Sequence, residues 1–212
     1  MRNSVKMATA ALLIVGFGLL AGCGDDNPGP TTKSLTTTVP ATVTGQTATV
    51  TTATNVTTAD GVTVTTIPAA ATITATSGTM PSTLAVTITT PVNGTTSGVP
   101  TATSSGTTYT LTNAAGSVNI AIPGVNSFTV GGTGATIAIP VANTTGLTDG
   151  ATNVKVTSLK ADGTIITYTN GVYSATQKTV TLSGVTNFCW FIANPTWTSP
   201  TGSTGSTGTG GI

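Results

Sequence analysis

From about residue 41 the chain alternates between apolar and polar positions in short runs. Val62 and Val64 follow the Asp60-Gly61 pair, and Ile73 sits within Ala-Thr-Ile-Thr-Ala-Thr. Leu84, Val86 and Ile88 recur at every second position, as do Val118, Ile120 and Ile122, and then Ile137, Ile139 and Val141. Val154 and Val156 flank Lys155, Ile166 and Tyr168 precede Asn170-Gly171, and Val180 and Leu182 lead to Phe188-Cys189-Trp190-Phe191-Ile192. Period two places alternate side chains on opposite faces of a strand, so each run predicts a strand with one buried face. Pro40, Pro68, Pro81, Pro91, Pro123 and Pro140 punctuate the runs, as proline should at strand ends, edges and bulges. Asn170-Gly171 predicts a two-residue hairpin. In the last run Phe188, Trp190 and Ile192 share one face while Cys189 and Phe191 take the other. Apolar side chains on both faces predict a central strand, or an edge strand with a binding patch at Trp190, Phe191 and Trp197. Many short strands separated by turn signals predict an all-β, antiparallel sandwich over residues 41–196.

The two ends read differently. Arg2 and Lys6 precede an apolar run from Met7 to Gly22. That run is short for a spanning helix and suits the signal helix of an exported protein, with an uncleaved anchor as the alternative. Residues 1–22 are therefore expected to be a signal peptide. Residues 23–40 contain Gly-Asp-Asp-Asn-Pro-Gly-Pro and no apolar period, which predicts a flexible tether. Residues 197–212 are almost all Gly, Ser and Thr, which predicts a disordered tail.

Leu20-Ala21-Gly22-Cys23 resembles the lipobox of bacterial lipoproteins. The resemblance implies that Leu20, Ala21 and Gly22 are read by the signal peptidase. The Cys23 thiol would receive a diacylglyceryl group, and cleavage would fall just before it. Acyl chains on Cys23 would hold the protein to a membrane, because two or more buried chains anchor stably. Gly24, rather than Asp, follows the cysteine, which in this family implies delivery to the outer membrane, facing the periplasm or the cell surface. With Cys23 consumed by lipid, Cys189 would be the only thiol and no intrachain disulfide could form. Cys189 is then either a buried small hydrophobe or a reactive group.

Composition narrows the chemistry. Of 212 residues 55 are Thr, only 5% are charged, all five acids are Asp, and there is no His. Without His there is no imidazole base or ligand. The Asp-Gly pairs at residues 60, 149 and 162 read as turn dipeptides rather than paired catalytic carboxylates or calcium ligands. Gly131-Gly132-Thr133-Gly134 lacks the lysine of a phosphate loop and reads as a turn. No catalytic residue, metal or cofactor is expected, and a net charge of +1 supplies no footprint for nucleic acid.

Two stretches resemble a β-sandwich family found in ankyrins, netrin receptors and bacterial envelope proteins. The first is Gly61-Val-Thr-Val-Thr-Thr-Ile-Pro-Ala-Ala-Ala-Thr-Ile. The second runs from Gly116 to Ile192 and includes Ala135-Thr-Ile-Ala-Ile-Pro-Val, Ala161-Asp-Gly-Thr-Ile and Thr179-Val-Thr-Leu-Ser-Gly-Val. Bacterial members commonly carry a histidine where Asn187 stands. The resemblance implies an Ig-like sandwich with a structural, adhesive or protein-binding role, and no catalytic residue to carry over. The expected partner is an envelope protein or glycan. The alternatives are a self-assembling surface or filament subunit, since low charge favours edge pairing, and a glycan-active hydrolase.

Overall fold

The computed structural model describes residues 32–199 except 93, 132–133, 161–162 and 187–188. The expected signal helix and most of the expected tail lie outside the described residues. Within them the fold is all-β, with seventeen strands and every pairing antiparallel. In chain order the strands are β1 (Thr32–Thr38), β2 (Ala41–Thr44), β3 (Thr47–Val50), β4 (Thr54–Thr57), β5 (Thr63–Ile67) and β6 (Thr72–Gly78). Next come β7 (Ala85–Pro91), β8 (Ala102–Ser104), β9 (Thr107–Asn113), β10 (Gly116–Ala121), β11 (Val125–Val130) and β12 (Ala135–Pro140). The last five are β13 (Val154–Leu159), β14 (Ile165–Ser174), β15 (Thr179–Val185), β16 (Trp190–Ala193) and β17 (Thr196–Thr198).

The strands stack in layers. One layer runs β1-β7-β10-β16-β13 and ends on the first half of β14. At its C-terminal end β14 leaves β13 and pairs with β15, which pairs with β12. The β4-β5 ribbon lies alongside β12 and extends this second layer, and the Thr65 hydroxyl donates to the Thr136 carbonyl at 2.7 Å. At the far side β4 reaches β1 and β7, so the two layers approach at both margins. A four-stranded sheet, β11-β6-β3-β2, continues from β10 through the Pro123-Gly124 turn. A three-stranded sheet, β17-β9-β8, covers the outer face of the first layer.

The alternation read from the sequence explains the main core. Val86, Ile88, Val118, Ile120, Ile137, Ile139, Val156, Val180 and Leu182 are all buried in one cluster between the layers. Ile73, Ala75 and Phe128 of the four-stranded sheet join the same cluster. A second cluster lies on the other side of the first layer and contains Trp190, Ile192, Leu159 and Cys189 beneath Ala102 and Leu111. β16 is paired on both sides, with β10 and β13. Of the two expectations for this strand, the central one holds.

Three sequence readings change. The tether was expected to reach residue 40, yet Thr32–Thr38 pairs along its whole length with β7. This segment lacks apolar alternation, but pairing to an open sheet edge requires only its backbone. The Ser34 and Thr36 hydroxyls meet those of Thr89 and Thr87 at 2.8 and 2.9 Å across the pair, and such cross-strand pairs add to sheet stability. At the other end the tail was expected to begin at residue 197, yet Trp197 and Thr198 continue the strand that pairs with β9. Asn170-Gly171 makes no hairpin turn. It lies inside β14, and the chain reverses at residues 175–178, where Lys178 adopts a φ of 50°. Gly171 is the corner at which β14 changes layers: a Cβ there would lie 2.7 Å from the Val154 carbonyl oxygen. A glycine next to a turn-forming residue thus serves close packing.

Gly116 plays a comparable part where the layers meet. A Cβ on it would overlap the carbonyl of Pro140 in the opposite layer. Backbone hydrogen bonds from Ala142 and Asn143 to the Ala115 carbonyl, at 3.0 and 2.9 Å, lock this junction. Gly116→Ala is expected to destabilise the protein by about 3 kcal/mol, because a backbone carbonyl cannot yield as a flexible side chain can; urea unfolding measures it. The opposite effect is expected at Thr157, whose fully buried hydroxyl has no hydrogen-bond partner. Thr157→Val keeps the shape and removes that hydroxyl, so it should raise the unfolding free energy by about 1 kcal/mol.

Candidate interaction surface

The lipobox residues Leu20, Ala21, Gly22 and Cys23 lie outside the described residues. The aromatic patch expected at Trp190, Phe191 and Trp197 is not presented to solvent. Trp190 is 3% exposed and Phe191 is fully buried. They occupy opposite faces of β16: Phe191 enters the main core, and Trp190 enters the smaller cluster. Trp197 packs onto that cluster from β17 and is partly buried. The reason is topological. The β8-β9-β17 sheet lays its apolar face, Ala102, Tyr109, Leu111 and Trp197, over the outward side of β16 and β13. Core burial therefore accounts for these aromatics, as it does for most large rings.

Cys189 is 2% exposed, which agrees with the buried alternative of the two expected from the sequence; it is disulfide-bonded, so the expectation of a lone thiol changes. The chain holds one other cysteine, Cys23. An intramolecular disulfide at Cys189 and a thioether on Cys23 would use the same sulfur, so they are alternative states of one chain.

The acidic residues fall where turn chemistry places them. Asp60 precedes Gly61 at a φ of 81°, and its carboxylate is 3.2 Å from the Lys33 ammonium, an exposed pair. Asp149 precedes Gly150 at a φ of 76°, and its Oδ1 accepts the Ala175 N–H at 2.7 Å. Asp162 lies outside the described residues. Among the described residues no three His, Cys, Asp or Glu side chains gather to hold a metal, and no helix is long and apolar enough to cross a membrane. Burial raises the Tyr168 phenol above its ordinary value and keeps it neutral.

What the structure does bring together is hydroxyl groups. Tyr109 and Leu111 point inward from β9, and Thr108, Thr110 and Thr112 take the opposite, exposed positions. Thr103 lies across from Thr108, and Thr198 across from Thr110. The Thr112 hydroxyl donates to the Thr196 carbonyl at 3.1 Å, which ties the third strand in. All six of these threonines are exposed. The outer face of this sheet is therefore an uncharged array of methyl and hydroxyl groups, spaced by strand geometry at about 4.8 Å between strands and about 6.8 Å along them. The signal for it was present in Thr107-Thr-Tyr-Thr-Leu-Thr, whose alternation puts threonine on one side and apolar residues on the other. The register with residues 102–104 and 196–198 was not readable, because both partners are three-residue strands.

The array carries no general base, nucleophile or ligand cluster of its own. It can donate and accept hydrogen bonds and bury methyl groups, which suits reversible contact with another surface. No family model matches the chain, and neither does any curated protein or solved structure.

Proposed function

We propose that the chain is a lipid-anchored protein of the bacterial outer membrane whose β domain makes non-covalent contact with an envelope protein or glycan. The observation that carries this reading is Leu20-Ala21-Gly22-Cys23 at the end of a positively flagged apolar segment. Further support comes from the domain's chemistry. Its strands expose many threonines, and the outward face of the β8-β9-β17 sheet is an uncharged hydroxyl array. Such a face has little long-range electrostatic steering, so recognition rests on shape and short-range hydrogen bonds.

A second reading is favoured by one observation, the disulfide at Cys189. In it the chain is exported without a lipid, and the Cys23 sulfur serves a disulfide. Disulfides persist in oxidising compartments outside the cytosol, so this second reading also places the chain outside the cytosol.

Processing separates the two. Growth with globomycin, an inhibitor of lipoprotein signal peptidase, is expected to accumulate the longer precursor, and Cys23→Ala should shift the protein from the membrane to the soluble fraction. Unchanged processing together with unchanged fractionation would remove the lipid anchor. Intact-mass measurement of the mature chain gives a direct answer. A diacylglyceryl addition on a chain beginning at Cys23, with Cys189 open to alkylation after unfolding, is the outcome expected for the lipoprotein. A mass lacking two hydrogens, and no alkylation before reduction, is the outcome for the disulfide form.

A further inference from the structure

The main core is not filled to its end. Where the space between the two layers opens toward the four-stranded sheet, a cavity of about 420 Å³ remains. Its floor is Ile73, Val86, Ile120 and Phe128, all buried. One wall is the Pro68–Ala71 connection between β5 and β6, and the other is formed by Val130 and Ala135. Thr66 and Thr136, both exposed, stand at the rim. Pockets for small molecules lie in the range of about 300 to 1,000 Å³ and are mainly apolar with a few polar groups at fixed places. This cavity has that size and that lining.

The wall residues are small where larger ones would have closed it. Pro68 is followed by Ala69-Ala70-Ala71. Ala70 takes a left-handed φ of 64°, a region that alanine rarely adopts. It is held there by its N–H donating to the Val50 carbonyl at 2.7 Å and by the Val50 N–H donating to the Ala71 carbonyl at 2.9 Å. Strained backbone of this kind gathers at ligand sites and persists only where its surroundings impose it. The connection is thus pinned away from the floor instead of collapsing onto it.

Among the described residues no charged side chain lines the cavity. A carboxylate, phosphate or ammonium buried there would have no counter-charge, and its desolvation would oppose binding. The Thr65 hydroxyl donates to the Thr136 carbonyl and the Thr136 hydroxyl to Ser183 Oγ at 3.4 Å, so the rim hydroxyl of Thr136 meets an entering polar group as an acceptor. The Thr66 hydroxyl donates to Asn55 Oδ1 at 2.7 Å and retains acceptor capacity. We infer that this cavity binds a neutral amphiphile, a hydrocarbon body of the acyl-chain type with an uncharged hydroxyl head that donates to the threonine rim. The inference is independent of how the N-terminus is processed.

The test is photo-crosslinking of the full chain with a diazirine-bearing decanol, followed by peptide mapping. The expected labels fall within residues 65–73, 128–131 and 134–136 and disappear with excess unlabelled decanol. Ala71→Phe and Ala135→Phe each fill the cavity from a different wall and should weaken labelling at least about tenfold, because displaced apolar contact is lost directly from affinity. Thr176→Val, in the exposed turn between β14 and β15 and outside the cavity lining, should leave labelling unchanged. Labels confined to other segments, or labels that competitor does not reduce, would overturn the proposal whether or not the phenylalanine variants fold. So would undiminished labelling in both variants when their unfolding temperatures match the parent.

Discussion

Burial of β16 on both faces is the constraint on which the rest of the domain depends. The strand is only four residues long, yet it is paired with β10 and β13. Phe191 and Ala193 face the space between the layers, while Trp190 and Ile192 face the β8-β9-β17 sheet. A strand that is apolar on both sides needs two covers. The second layer supplies one and the small threonine-faced sheet supplies the other. The three-layered arrangement therefore follows from one run of large apolar residues near the end of the chain.

Threonine serves two opposed purposes in this frame. On the outer sheet, Thr108, Thr110, Thr112 and Thr198 use β-propensity and a solvated hydroxyl to make a neutral surface. Inside, Thr87 and Thr89 are buried on β7 and satisfied by hydroxyls of β1. Thr157 and Ser158 are buried on β13 with unpartnered hydroxyls, opposite Ile192 and Phe191. A chain so rich in one residue type places some hydroxyls where an aliphatic side chain would pack better, and each such hydroxyl forfeits stability. The same poverty of large side chains, most evident in the alanine run 69–71, leaves a cavity beside a well-filled core.

Much of the fold was legible along the chain. The runs at 84–88, 118–122, 137–141, 154–156 and 180–182 became β7, β10, β12, β13 and β15, with the alternate apolar residues buried as their period requires. Pro91 and Pro140 end strands, and Pro68 and Pro123 lie in connections. The candidate site was less legible. Trp190, Phe191 and Trp197 form a conspicuous aromatic cluster on paper, but exposure is decided by what lies above them, and the cover comes from residues about ninety positions earlier. The cavity had no sequence signal either, since its floor and walls come from β5, β6, β7, β10, β11 and β12 together.

Periodicity and composition alone determined that the chain would be built of short strands, that one side of each would be apolar, and that its surface would be hydroxyl-rich and nearly uncharged. The lipobox resemblance rests on Leu20-Ala21-Gly22-Cys23, a local motif that needs no fold. Tertiary structure alone decided that residues 32–38 pair with β7, that Gly171 turns a strand through a corner instead of closing a hairpin, and that both faces of β16 are covered. Period two is a property of one strand and is written in neighbouring residues. Pairing partners, layer contacts and covered faces join residues far apart in sequence, and backbone hydrogen bonds form equally well between strands of almost any composition.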